Sequence, residues 1–105
     1  MEFVETSIFT KQIQALVADD VYRGLQTRLA IDPKAGAVIR DSGGLRKIRL
    51  AARGKGTRGG ARVIYFHLET RHQIAMLLAY GKDEQDDITA DQRATLRKIV
   101  QNWSR

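Results

Sequence analysis

The chain of 105 residues has the length of one ordinary domain, and its 43% hydrophobic and 29% charged residues suffice for a single core, with no room for a separate regulatory domain. It contains no cysteine and only two histidines, His67 and His72, which excludes disulfides, thiolate nucleophiles and an ordinary structural zinc site. The net charge of +6 is concentrated: from Arg40 to Arg62 eight cations meet one anion, Asp41, for a local charge of +7, whereas the remaining residues hold ten cations and eleven anions.

Charge confined in this way makes a directed positive field that attracts polyanions, nucleic acid first among them. The plainer alternative is a solvated charged surface. No run of about 18 apolar residues is present. Met1 to Thr10, with Glu2 and Glu5, also lacks the cationic and apolar regions of a signal peptide. The expectation is a soluble cytoplasmic protein with no membrane partner.

Phe3, Val4 and Ile8 predict a short opening strand. From Phe9 to Ala18 the apolar positions Phe9, Ile13, Leu16 and Val17 recur at helical spacing. Asp19 and Asp20 then mark a new helix start: one can accept hydrogen bonds from free backbone amides, and both suit the positive end of the helix dipole. Val21, Tyr22, Leu25 and Leu29 give this second helix one apolar face, and Pro33 ends it near Asp32. The two helices read as a hairpin whose apolar stripes are core.

After Gly36, Gly43 and Gly44 the period changes to two. Arg46, Ile48 and Leu50 fall on one face of a strand, and Lys47 and Arg49 on the other. With Ile48 and Leu50 buried, Lys47 and Arg49 project together, about 7 Å apart, a spacing that suits two neighbouring phosphates or one gripped twice. Arg53 to Gly60, "RGKGTRGG", reads as a pliant basic hairpin loop able to close on a polyanion. It lacks the glycine-lysine-serine/threonine ending of a phosphate-binding P-loop and leads into a strand, which excludes nucleotide binding of that kind. "ARVIYFHL" (Ala61 to Leu68) and "QIAMLLAY" (Gln73 to Tyr80) predict two paired strands around a turn from Glu69 to His72, the second apolar on both faces as a central strand is. Gly81, Lys82 and the acidic run Asp83 to Asp87 end the sheet. Thr89 and Gln92 have the spacing of a capping box for a last helix, with Leu96, Ile99, Val100 and Trp103 on one side.

Conventional acid-base equipment is sparse. His67 and His72 flank the turn and read as surface residues, no serine sits in a nucleophile elbow, and the acidic run has no EF-hand pattern and reads as a solvated loop. What remains is cationic: Lys47, Arg49, Lys55, Arg62 and Lys82. RNA brings its own nucleophile, the 2′-hydroxyl, so a nuclease of this kind needs donors for the transition-state charge, which arginine supplies, and a base, which a lysine crowded by arginines can become. Such a site requires no metal and no cofactor. The same cations could simply hold phosphate.

The two N-terminal helices, "GGLRKIRLA", "GKGTRGGARVIYF", "LLAYGKDE" and a terminal helix beginning near Thr89 together resemble the RelE/HigB-type toxins of bacterial type II toxin-antitoxin systems, in order and over nearly the whole chain. The resemblance implies an α+β fold of the microbial ribonuclease kind: two N-terminal helices on an antiparallel sheet of three to four strands, plus a C-terminal helix, in one domain spanning residues 1–105. It implies an mRNA endoribonuclease, or mRNA interferase, acting on mRNA in the ribosomal A site and held inactive by a cognate antitoxin protein. By resemblance, Lys47 and Arg49 match the basic pair of the first long strand, Arg62 the arginine opening the next, and Lys82 the position after the glycine that follows the last strand. These four are the expected catalytic residues. Arg46, Arg53, Lys55 and Arg58 are the expected RNA or ribosome contacts. "KDEQDDI" lacks the tyrosine or histidine that relatives use there, which leaves the general acid open, with Tyr80 nearby or merely packed. The rival reading is a non-catalytic RNA- or DNA-binding module or repressor subunit, which needs no general acid.

Overall fold

A computed structural model describes residues 1–54 and 60–103. Lys55 and Arg58, and with them most of the "RGKGTRGG" loop, lie outside the described residues. The chain runs β1 (Glu2–Glu5), α1 (Ser7–Leu16), α2 (Asp19–Ile31), β2 (Ala37–Val38), β3 (Arg46–Leu50), β4 (Ala61–Leu68), a 3-10 turn (Glu69–Arg71), β5 (Gln73–Gly81) and α3 (Ala90–Trp103).

Local chemistry sets the element ends. Thr6 caps α1 by accepting from the Phe9 amide at 3.0 Å. The α2 start differs from expectation: Ala18 stands at the cap without a side-chain bond, and Asp19 and Asp20 lie inside the first turn, where they act on the dipole alone. Asp32 ends α2 directly before Pro33, and its carboxylate accepts from the Lys34 amide at 3.3 Å. The capping box of α3 is reciprocal: the Gln92 amide donates to Thr89 Oγ1 and the Thr89 amide to Gln92 Oε1, each at 3.0 Å. Ile8 belongs to α1, not to the opening strand.

The α+β architecture agrees with expectation, and the sheet is larger and mixed: five strands in the order β1-β5-β4-β3-β2, with β1 parallel to β5 and the other pairs antiparallel. The expected opening strand forms one edge as β1, and β2, which the sequence did not announce, forms the other. β2 is two residues long, too short to show a period, and nothing in the alternation of β1 reports the direction of its partner.

Two apolar clusters sandwich the sheet. Phe9, Ile13, Val17, Leu25 and Leu29 from α1 and α2 pack on Ile48, Leu50, Val63, Tyr65, Ile74 and Met76. On the opposite face, Leu96 and Val100 of α3 pack with Leu45, Ile64, Leu68, Leu78 and Tyr80. Each fully buried Phe or Leu contributes about 1.5–3 kcal/mol, so the hairpin α1–α2 anchors one side of the sheet through Phe9 and Leu29, both 0% exposed. α1 also closes the edge of β5 beyond β1: Thr6 donates its hydroxyl to the Leu77 carbonyl at 3.1 Å, and Gln12 accepts from the Ala79 amide at 2.9 Å. Those backbone groups would otherwise lack ladder partners.

Gly36 brings the loop after α2 down onto β3 and β4. Its amide donates to the Tyr65 hydroxyl at 2.8 Å, which in turn donates to the Pro33 carbonyl at 2.8 Å. A Cβ on Gly36 would stand 2.8 Å from the Tyr65 ring and 2.9 Å from the Lys47 carbonyl oxygen, so only glycine permits this approach.

Candidate functional site

The antiparallel ladders align three polar residues across the sheet. Arg49 of β3 stands opposite Arg62 of β4, and Arg62 opposite Tyr80 of β5. Directly paired residues share a face, with Cβ atoms about 5 Å apart, so the row lies on the side that also carries α3. Lys47, two residues from Arg49 on the same strand, lies on that face too, in register with Ile64 and Leu78. Like charges placed directly opposite one another repel. Arg49 and Arg62 with Lys47 beside them therefore make a seat for an anion, shaped by strand alternation.

The members differ in freedom. Arg49 is exposed. Arg62 is 5% exposed, and Nη1 donates to the Ala61 carbonyl at 3.2 Å among its interactions. Lys47 is held by Asp87, Nζ to Oδ1 at 3.0 Å, its side chain 31% exposed against 60% for Asp87. Partial burial pushes the Asp87 carboxyl up, but Lys47, the Ile88 amide and Tyr80 outweigh it and hold the group below its ordinary value. A depression of about 290 Å³ adjoins this pair and is bordered by Val38, Arg40, Ile88 and Arg93.

Tyr80 is 3% exposed, and its hydroxyl meets hydrogen-bond geometry with no group among the described residues. It does lie within the fields of Asp87 and Arg62. Burial first, and Asp87 next, push its pKa up to about 12, with Arg62 opposing.

The other expected site residues are elsewhere. Lys82, one residue past β5, is engaged with Asp86, at 3.6 Å from its carboxylate and 3.4 Å from its carbonyl. Arg46 points to the opposite face from Lys47, and its Nη1 donates to the carbonyls of Gly36, at 2.7 Å, and Lys34, at 3.2 Å. Arg53 lies beside the end of α1, its amide bonded to the Leu16 carbonyl at 2.9 Å and Nη2 to the Gln14 carbonyl at 3.4 Å. Thus Lys47, Arg49 and Arg62 come together, while Arg46 and Arg53 do not join them. His67 is five residues from Arg62 along β4, about 16 Å, and His72 is exposed in the turn beyond it. Among the described residues no group of three histidines or carboxylates could hold a metal ion, and no helix is long and apolar enough to cross a membrane.

Sequence reasoning missed Asp87 as a partner of Lys47, 40 residues away, and missed Arg40 and Arg93 beside it. The two-residue spacing that puts Tyr80 on the same face as Leu78 is legible in the sequence, but it acquires meaning only through the register with Arg62.

Comparison with known families gives a match: the family model of the RelE toxin of the RelE / RelB toxin-antitoxin system covers residues 30–105. The chain belongs to the RelE toxin family. It is a toxin of a toxin-antitoxin system, and a cognate antitoxin is its partner. The match begins at the end of α2, so β1, α1 and most of α2 stand ahead of it, while every residue of the cationic row falls inside it.

Proposed function

We propose that the toxin is a ribosome-dependent mRNA endoribonuclease that inhibits translation and works without a metal ion. The observation that carries this reading is the placement of Arg49 directly against Arg62 with Lys47 on the same face. In the reaction the ribose 2′-oxygen attacks phosphorus, negative charge grows on the phosphoryl oxygens, and the 5′-oxygen leaves. Arg62, fixed by burial, is the donor to that charge, because a preorganised cation in a partly dry site loses little to reorganisation. Lys47 and Arg49 grip the phosphates, and Lys82 belongs to the rim of the site. Arg53, with Lys55 and Arg58, serves the ribosomal RNA. Residues 1–105 act as one domain in the cytoplasm, silenced when the antitoxin masks the cationic face.

Primer extension on a translated message after brief induction tests this, with a translation-blocked message and the Lys47→Ala, Arg49→Ala and Arg62→Ala variants in parallel. The expected result is cuts in the translated message alone that disappear in the variants. An absence of cuts, with RNA binding retained, would make the chain a binding module. Salt dependence cannot separate the two, since six phosphate contacts lose roughly 10³-fold in affinity between about 50 and 200 mM salt in either case.

A further inference from the structure

The cationic row supplies charge but no evident proton for the departing 5′-oxygen, and it ends in a group whose place packing alone does not explain. Tyr80 stands across from Arg62 in the β4–β5 register. Its ring belongs to the apolar cluster of Leu78, Leu96 and Val100, while its hydroxyl is buried beside the Asp87 carboxylate, near enough to interact with it but short of full hydrogen-bond geometry. Phenylalanine would fill the same space, so apolar packing does not account for the hydroxyl, and a buried polar group of this kind in a native fold calls for an explanation. The oxygen is turned toward the charged groups of the site, Asp87 and Arg62, not into hydrocarbon.

We infer that Tyr80 is a catalytic residue whose hydroxyl protonates the 5′-oxygen as the RNA chain is cut. This rests on the nuclease reading above. The ribose 2′-oxygen forms its bond to phosphorus, the bond from phosphorus to the 5′-oxygen breaks, and that bond's electron pair goes to the 5′-oxygen, which takes the phenolic proton. The 2′-hydroxyl proton passes to solvent, and the phenolate takes one back from solvent at the end of the turnover. Asp87 holds Lys47 at 3.0 Å and has an exposed carboxylate. An entering phosphate, an anion with the same claim on Lys47, displaces it and uncovers the hydroxyl. Burial and Asp87 hold the phenol in its protonated form before the phosphate arrives, so it enters the reaction with a proton to give.

The test uses the full chain with programmed ribosomes and two messages that differ in one atom, oxygen or sulfur at the 5′-bridging position of the cut. A thiolate leaves without being protonated. Tyr80→Phe is expected to slow cleavage of the oxygen message by about 10²-fold and of the sulfur message by no more than a few fold, with an unchanged thermal midpoint. Equal slowing of both messages would mean that the ring only positions its neighbours, and unslowed cleavage of the oxygen message would leave the hydroxyl without a role. Either result overturns the inference while the nuclease reading stands. A parent chain that cuts neither message removes the nuclease reading itself, and the role of Tyr80 with it.

Discussion

On one face of the sheet, α1 and α2 bury Ile48, Leu50, Val63, Tyr65 and Met76 in an apolar cluster. On the other, α3 covers Ile64 and Leu78, and the same strands present Lys47, Arg49 and Arg62. β3 contributes to both, since its period of two sends Ile48 and Leu50 one way and Lys47 and Arg49 the other. The difference teaches that stability and chemistry are drawn from alternate residues of single strands, and so can be altered separately.

The largest expected effect is on the charged face. On the proposed nuclease reading, Arg62→Ala should lower mRNA cleavage by about 10²–10³-fold, the usual consequence of removing one fixed donor to transition-state charge, and a variant that arrests growth as fully as the parent would break the division between faces. Leu29→Ala, on the hydrocarbon face, should cost about 2–5 kcal/mol in denaturant unfolding. Under conditions where it remains folded, its cleavage rate should match the parent. Thr89→Ala removes one half of the capping box and should cost about 1 kcal/mol, measured the same way. Arg49→Ala sharpens the comparison from the other direction: cleavage should fall while stability stays within about 0.5 kcal/mol, because the side chain is exposed.

The smallest effect is the pH response of the Lys47–Asp87 contact. A carboxyl held below its ordinary 3.8 adds stability above about pH 4 that is lost as pH falls through the lowered value. Both partners are partly solvated, so the contribution is slight. Asp87→Asn should flatten the acid limb of the stability curve by a correspondingly small amount, and an unchanged limb would show that the contact does not hold in solution.

Much of this division was legible in the alternation "RKIRL", which assigns each residue of β3 to a side before any partner strand is known. The helical hairpin was equally legible from Phe9, Ile13, Leu25 and Leu29, and the α3 start from Thr89 and Gln92, because those signals are local. The illegible parts depend on register between distant segments. Tyr80 faces Arg62 from 18 positions away, Asp87 reaches Lys47 across 40, and β1 lies parallel to β5 across about 70, in each case without a local pattern to announce the meeting. The exposed Asp87 carboxylate is the sharpest example, since in the sequence it is one of several acids in a run that looks uniformly solvated.

The pairing of β1 with β5 also orders events in time. Glu2 through Glu5 find their places only against Gln73 through Met76, and Arg49, Arg62 and Tyr80 become neighbours only once β5 has paired with β4. Contacts so distant along the chain form late and slowly. A nascent copy truncated before β5 therefore has neither a closed sheet nor an assembled cationic row. The cationic row is thus a late product of the chain: it exists only after residues 73–81 have been made and paired with β4.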